Sequence, residues 1–231
     1  GRILALDVYG SLSRTVFELG LGDHVVGRDV SSGFPEIADR PLVTENGHDL
    51  NAEAILSLAP TVILTDTSLG PWDVLLQMRD AGIPVVVLDS ARTTGNVDEL
   101  IRGVAQALGV PDRGETLAAR TQQRIDEKLA EIAAVAPRDE AERIRMVFLY
   151  VRGNAGVYYM FGEGTGAQSL IEALGGVDVA TEIDWQGMRP VTDEGLIAAA
   201  PELILVMTKG LESAGGVDGL LEQLPALAQT P

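Results

Sequence analysis

Two stretches far apart in the chain carry the same punctuation, and this repetition restricts the fold more than any other feature. Residues 53–64 read Glu-Ala-Ile-Leu-Ser-Leu-Ala-Pro-Thr-Val-Ile-Leu, and residues 194–205 read Glu-Gly-Leu-Ile-Ala-Ala-Ala-Pro-Glu-Leu-Ile-Leu. Glu, Ala-Pro and Ile-Leu fall at identical spacing. Each stretch reads as a helix closed before a proline and followed at once by a strand. A second echo links Glu18-Leu19-Gly20 with Glu172-Ala173-Leu174-Gly175, each leading into an apolar strand. Repeats of this kind point to two related lobes, although any α/β chain reuses such units.

The rest of the chain fits that division. Ile3–Leu6, Val25–Val26, Val62–Leu64 and Val85–Leu88 are short apolar runs bounded by Gly, Pro, Asp or Thr, the pattern of buried parallel strands. Helical patterns lie between them at Ser11–Leu19, Ala52–Leu58, Trp72–Ala81 and Val97–Leu108, with Gly82 and Gly109 where C-caps are expected. A long helix is predicted from Pro111 to Val135, opened by one proline and closed by Pro137. At 1.5 Å per residue it would run ~37 Å, enough to join two lobes. Strands then resume at Met146–Val151, Val157–Phe161 and Leu203–Met207, with helices at Thr165–Leu174 and Glu194–Ala199. The class is α/β. The expected domains are an N-terminal lobe at 1–110, a linking helix at 111–136 and a C-terminal lobe at 137–231.

Composition removes several functions. The net charge of −17 repels phosphate backbones, which excludes nucleic acid as a partner. The chain has no cysteine, so disulfides, thiolate catalysis and Cys-based metal sites are absent. No run approaches the ~18 apolar residues of a membrane span. There is no P-loop, no HExxH and no Ser-His-Asp order, so the chain is not expected to be an enzyme. Gly162-Glu163-Gly164-Thr165-Gly166 follows a strand and opens a helix, as a dinucleotide-binding turn does, but Glu163 would sit against the pyrophosphate.

Nearly the whole chain resembles class III substrate-binding proteins of bacterial ABC importers. The resemblance rests on Arg2–Asp29 with Glu18-Leu19-Gly20-Leu21-Gly22-Asp23-His24-Val25-Val26-Gly27, on Leu50–Pro60, and on Gly164-Thr165-Gly166 through Leu174-Gly175-Gly176. It implies two α/β lobes joined by one long helix, with a ligand cleft between them. Such proteins usually continue past a segment like Leu224–Pro231, so the second lobe is expected to be incomplete here. Within the family the chain is most similar to the haem-binding branch, the HmuT type. Asn46-Gly47-His48-Asp49-Leu50 and Tyr150-Val151-Arg152-Gly153 resemble the segments that supply its iron ligands. Other relatives use a Tyr and an Arg in the first lobe; this chain has His48 there and Phe34 upstream.

The resemblance implies a periplasmic or cell-surface lipoprotein for iron acquisition. It would bind haem b as transported ligand and pass it to an ABC permease dimer, receiving it where relevant from upstream haem-capture proteins. A siderophore or corrinoid on the same scaffold is the alternative, and a haem- or nucleotide-dependent enzyme the second. His48 and Tyr150 are the expected iron ligands, since imidazole and phenolate both serve ferric iron. As bare patterns, a loop histidine is as readily a solvated side chain, and a strand-end tyrosine as readily a core edge. Arg152 lies two residues after Tyr150, so an extended strand puts both on one face, where a guanidinium stabilises phenolate. Tyr158, Tyr159, Trp185, Met188 and Arg189 are expected pocket walls or ordinary packing in equal measure. Glu53 and Glu194, the repeat-related acids, serve either as first-turn helix acids or as permease-docking residues, one per lobe.

Overall fold

The computed structural model describes residues 1–231. The chain divides into two compact units, Gly1–Arg124 and Ile125–Pro231.

The first unit is wound around a parallel sheet of β1 (Ile3–Leu6), β4 (Val62–Thr65) and β5 (Val85–Val87), in the order β1-β4-β5. Apart from Thr65 its strands are apolar, because β1 and most of β4 are covered on both faces. Ile3 and Ala5 point into a core with Leu12, Val16, Ile101 and Val104, while Leu4 and Leu6 point into another with Ile55, Leu75 and Met78. The helices are α1 (Ser11–Glu18), α2 (Ala52–Ser57), α3 (Trp72–Asp80) and α4 (Val97–Ala107). Gly82 and Gly109 hold left-handed backbone just past α3 and α4, at φ 83° and 72°. Val25 makes only an isolated parallel bridge to Ile3, so the strand expected at Val25–Val26 is reduced to one pairing. Three residues on, the chain pairs instead with residues 41–43, Arg28 bridging Leu42 in parallel. A hairpin of β2 (Thr44–Glu45) and β3 (Asp49–Leu50), unforeseen in the sequence, precedes α2.

The long helix α5 runs from Pro111 to Val135, as predicted. The boundary between the units falls inside it, because Leu117 and Ala118 belong to the core of the first unit.

The second unit repeats the winding with an antiparallel addition. Its central strand β6 (Arg145–Arg152) pairs in parallel with β8 (Val177–Asp178) and with β10 (Leu203–Val206). Beyond β8, β6 pairs antiparallel with β7 (Val157–Phe161), which pairs with β9 (Met188–Pro190). The helices are α6 (Ala167–Ala173), α7 (Val179–Glu182), α8 (Asp193–Ala199), α9 (Thr208–Ser213) and α10 (Gly216–Gln223). One sheet face, through Val147, Leu149, Val151 and Met160, packs on Val179, Leu196, Ala214 and Leu220.

The internal repeat is visible in the backbone. Ala59 and Ala200, each just before its proline, both adopt left-handed φ, 43° and 45°. An arginine at the start of each central strand reaches the end of the repeat helix. Arg2 Nε donates to the Leu58 carbonyl at 2.8 Å, and Arg145 Nη2 to that of Ala199 at 3.2 Å. Both cations satisfy carbonyls that a helix end leaves without partners. Register agrees as well: Ile3 pairs with Val62 and Met146 with Leu203.

Candidate functional site

In the second unit, alternation along β6 divides its side chains cleanly. Val147, Leu149 and Val151 are buried in the core, which sends Phe148, Tyr150 and Arg152 to the opposite face. Register extends that face across the sheet: Phe148 pairs with Phe161, Tyr150 with Tyr159, and Phe161 with Met188. The rings form a continuous group. Tyr150 stacks on Phe161 with centroids 6.4 Å apart and planes at 13°, and Tyr159 lies 6.5 Å from Tyr150. Phe148 and Phe161 are 5.2 Å apart. All four rings are half-buried, Arg152 is exposed, and Met188 is 52% exposed. This is an aromatic sheet face with a phenol and a guanidinium at the end of β6.

Helix α9 pins that strand end. A Cβ on Gly153 would lie 2.4 Å from the Ala214 Cα, and one on Gly210 2.8 Å from the Val151 carbonyl oxygen. Backbone touches backbone at both glycines, so β6 cannot shift without moving α9. The Gly153 N–H donates to Ser213 Oγ at 2.9 Å. Tyr150 and Arg152 share a face, as expected, although no hydrogen bond joins them here.

The five expected wall residues separate. Tyr159 and Met188 lie on the face of Tyr150. Tyr158, Trp185 and Arg189 do not, and the contacts they make in this unit are those of ordinary packing. Tyr158 pairs with Val151 on the core face, and its hydroxyl bonds to Gln223. Trp185 packs on the same core, with Nε1 donating to the Met160 carbonyl at 2.9 Å. Arg189 pairs with Met160 and lies over the Trp185 ring at 4.8 Å. Adjacent residues of a strand face opposite sides, so Tyr158 and Tyr159 were never both available to one surface. The same rule applied to Phe148-x-Tyr150 and Tyr159-x-Phe161 would have found the two phenylalanines that the sequence reading missed.

The glycine-rich turn is used internally. A Cβ on Gly162 would meet the Trp185 carbonyl oxygen at 1.8 Å, and the Glu163 N–H donates to that oxygen at 2.9 Å. The turn is therefore spent on pairing with residues 185–187.

In the first unit, His48 sits exposed at the tip of the β2–β3 hairpin. Left-handed backbone at Asn46 (φ 49°) and Gly47 (φ 96°) makes the turn. The hairpin base is tied to the β4–α3 loop, with the Leu50 N–H donating to the Gly70 carbonyl at 2.7 Å. That loop also holds the end of β1, through the Val8 N–H and Ser68 Oγ at 2.9 Å.

At the carboxyl ends of β1 and β4 lie Asp7, Asp29 and Asp66, all fully buried. Arg92 Nη2 bridges Asp66 Oδ2 at 2.8 Å and Asp7 Oδ2 at 3.5 Å. Asp29 accepts from the Ser32 and Asp7 N–H groups at 2.8 and 3.2 Å. Burial outweighs those bonds and, with the Asp7 charge, pushes the Asp29 carboxyl up to about 6. Glu53 and Glu194 are exposed in the first turns of α2 and α8, each at the second position after a side-chain cap, Asn51 or Thr192.

Comparison with known proteins adds the following. Residues 8–231 match the periplasmic binding protein family. The crystal structure of the heme binding protein HmuT superposes with a TM-score of 0.93 and 43% identity, covering 99% of this chain and 73% of that one. Structures of that protein have also been solved with a tyrosine, the arginine two positions after it, or a histidine replaced by alanine. Among curated relatives, the uncharacterised ABC transporter substrate-binding lipoprotein YvrC of Bacillus subtilis is 26% identical over 88% of this chain and 62% of its own length. A cobalamin-binding protein of Halobacterium salinarum is 25% identical over 84% of this chain and 51% of its own. The chain thus spans between half and two-thirds of the curated relatives it matches. No helix is long and apolar enough to cross a membrane.

Proposed function

We propose, from the premise that this chain belongs to the periplasmic binding protein family, that it binds haem outside the cytoplasmic membrane and delivers it to an ABC permease. The observation that carries this reading is Tyr150-x-Arg152 at the end of an aromatic sheet face, in a chain 43% identical to a haem-binding protein whose own Tyr-x-Arg pair has been varied. Tyr150 and His48 are the axial donors, a phenolate from the second unit and an imidazole from the first. Arg152 stabilises the phenolate form by charge and opens a hydrogen-bonding partner for it on the same face. Phe161 and Tyr159 offer apolar ring surface to the macrocycle beside the donor. Glu53 and Glu194 meet basic pockets on the permease dimer, one acid per unit. A lipid anchor and upstream haem-capture proteins fit the same reading.

Titration with ferric haem, followed by absorption, tests the ligand set. Tyr150→Ala is expected to change the ferric spectrum most. Arg152→Ala is expected to weaken binding, because it removes the guanidinium from the face of Tyr150. His48→Ala is expected to leave Tyr150 bound and alter spin state or affinity more mildly. A Tyr150→Ala protein with the wild-type spectrum and affinity refutes this site. The cobalamin-binding relative supports a corrinoid as second reading. The same titration with cobalamin separates the two, since a corrinoid binder takes up cobalamin and leaves haem free.

A further inference from the structure

In each unit one strand, β1 or β6, has parallel pairing on both sides that the chain reaches in opposite directions, although on one side of β1 it is a single bridge. β1 lies between Val25 and β4, and β6 between β8 and β10. Open α/β sheets bind ligands at the carboxyl end of such a strand. In the second unit that end carries Tyr150 and Arg152. In the first unit it carries Tyr9, two residues past the buried Asp7.

Tyr9 is 54% exposed, and one face of its ring is backed by a cation that is itself held in place. The Arg92 guanidinium lies 5.1 Å from its centroid. Besides Asp66 and Asp7, Arg92 donates to Ser11 Oγ at 2.8 Å and to the Asp89 and Ala91 carbonyls at 2.6 and 2.9 Å. Ser11 in turn donates to Asp7 Oδ2 at 2.6 Å. The turn itself is fixed, because Gly10 takes φ 69° and a Cβ there would press on the Ser31 carbonyl oxygen at 3.0 Å. Arg92 thus has one face on a buried carboxylate network and the other on an aromatic ring whose outer side is open. The same β4–α3 loop carries the base of the His48 hairpin and, through Ser68, the β1 end that leads to Tyr9.

We propose that Tyr9, backed by Arg92, is a ring-stacking contact for the planar ligand and sets its affinity without touching the iron. A ring fixed in advance loses little freedom on binding, and a flat macrocycle presents the apolar π surface that such a ring covers well. The inference rests on the haem-binding reading, and its test keeps the two apart.

Tyr9→Ala, Tyr9→Phe and Tyr150→Ala proteins would be titrated with ferric haem, reading affinity from tryptophan quenching and ligation from the Soret band. Tyr9→Ala is expected to bind about tenfold more weakly with an unchanged Soret position. Tyr9→Phe keeps the ring and is expected to stay within about twofold of wild type. Thermal melts of the apoproteins should coincide, as Tyr9 is exposed. Tyr9→Ala binding within about twofold of wild type overturns the stacking role. So does a Soret shift in Tyr9→Phe, which would make the hydroxyl an iron donor. A wild-type protein that takes up no haem overturns the parent reading, and this contact with it.

Discussion

Asp29 makes the stability of the first unit depend on pH in a direction opposite to that of an ordinary ion-paired carboxylate. Its folded value is about 6, against 3.8 when solvated. The folded state therefore holds the proton more tightly than the unfolded chain, and stability rises as pH falls from 7.5 through 6 toward 4. The full difference corresponds to about 3 kcal/mol, of which about half is realised by pH 5. Urea melts of wild type and Asp29→Asn at pH 7.5, 6 and 5 isolate this group. Asparagine also loses one acceptor for the Ser32 and Asp7 N–H groups, but that offset does not vary with pH. The wild type should gain on the variant by about 1.5 kcal/mol between pH 7.5 and pH 5. The transition to follow is that of the first unit, reported by Trp72. Stability curves that stay parallel over this range would show that Asp29 is ionised in the folded state like a solvated acid.

Two further outcomes are expected. Charge reversal of both Glu53 and Glu194 to lysine should leave haem affinity unchanged while lowering uptake in a reconstituted transporter; each loses a first-turn dipole interaction of ~0.3–1 kcal/mol, measurable in melts. Normal uptake by the double variant would reduce both to helix-end acids. Gly162→Ala should destabilise the second unit by about 3 kcal/mol in denaturant melts, because its Cβ would overlap the Trp185 carbonyl oxygen; a near-neutral effect would mean that the 162–187 pairing is easily rearranged.

Elements whose signal is local were legible in the sequence. Pro111 and the apolar spacing to Val135 define α5 to the residue, and β7 was found at Val157–Phe161. What was missed depends on pairing between distant residues. The β2–β3 hairpin has two residues per strand, too few to show a period, and is held by Gly70 from another loop. β9 is only Met-Arg-Pro, a strand solely because β7 lies beside it. The same limit governs the site. Tyr150 and Arg152 are coupled by local alternation, so their shared face could be read directly. Trp185 and Arg189 are near Met188 in sequence, whereas β9 register turns Arg189 to the opposite side from Met188. Tyr9 gives no signal of its own, since Arg92, which holds it, comes from the far side of the sheet.

The two units hold the same residue types where the scaffold needs them and different ones where the strands end. At the amino ends of the central strands, Arg2 and Arg145 close the repeat helices, and Ala59 and Ala200 share the same unusual turn. Nothing but helix termination is required there, and one solution serves both units. The registers Ile3–Val62 and Met146–Leu203 put Asp7 and Asp66 of the first unit at the positions of Tyr150 and Met207 in the second. The first unit buries its two acids under Arg92 and sends the next available ring, Tyr9, outward. The second unit has the half-buried Tyr150 there. An aspartate in place of Tyr150 would remove the phenol and set a carboxylate beside the aromatic face, two residues from Arg152. Conversely, a phenol at Asp7 would leave Arg92, a largely covered cation, with Asp66 as its one carboxylate partner. The two strand ends thus carry different chemistry, and exchanging Asp7 with Tyr150 would take one carboxylate from Arg92 in the first unit and set one beside the aromatic face in the second.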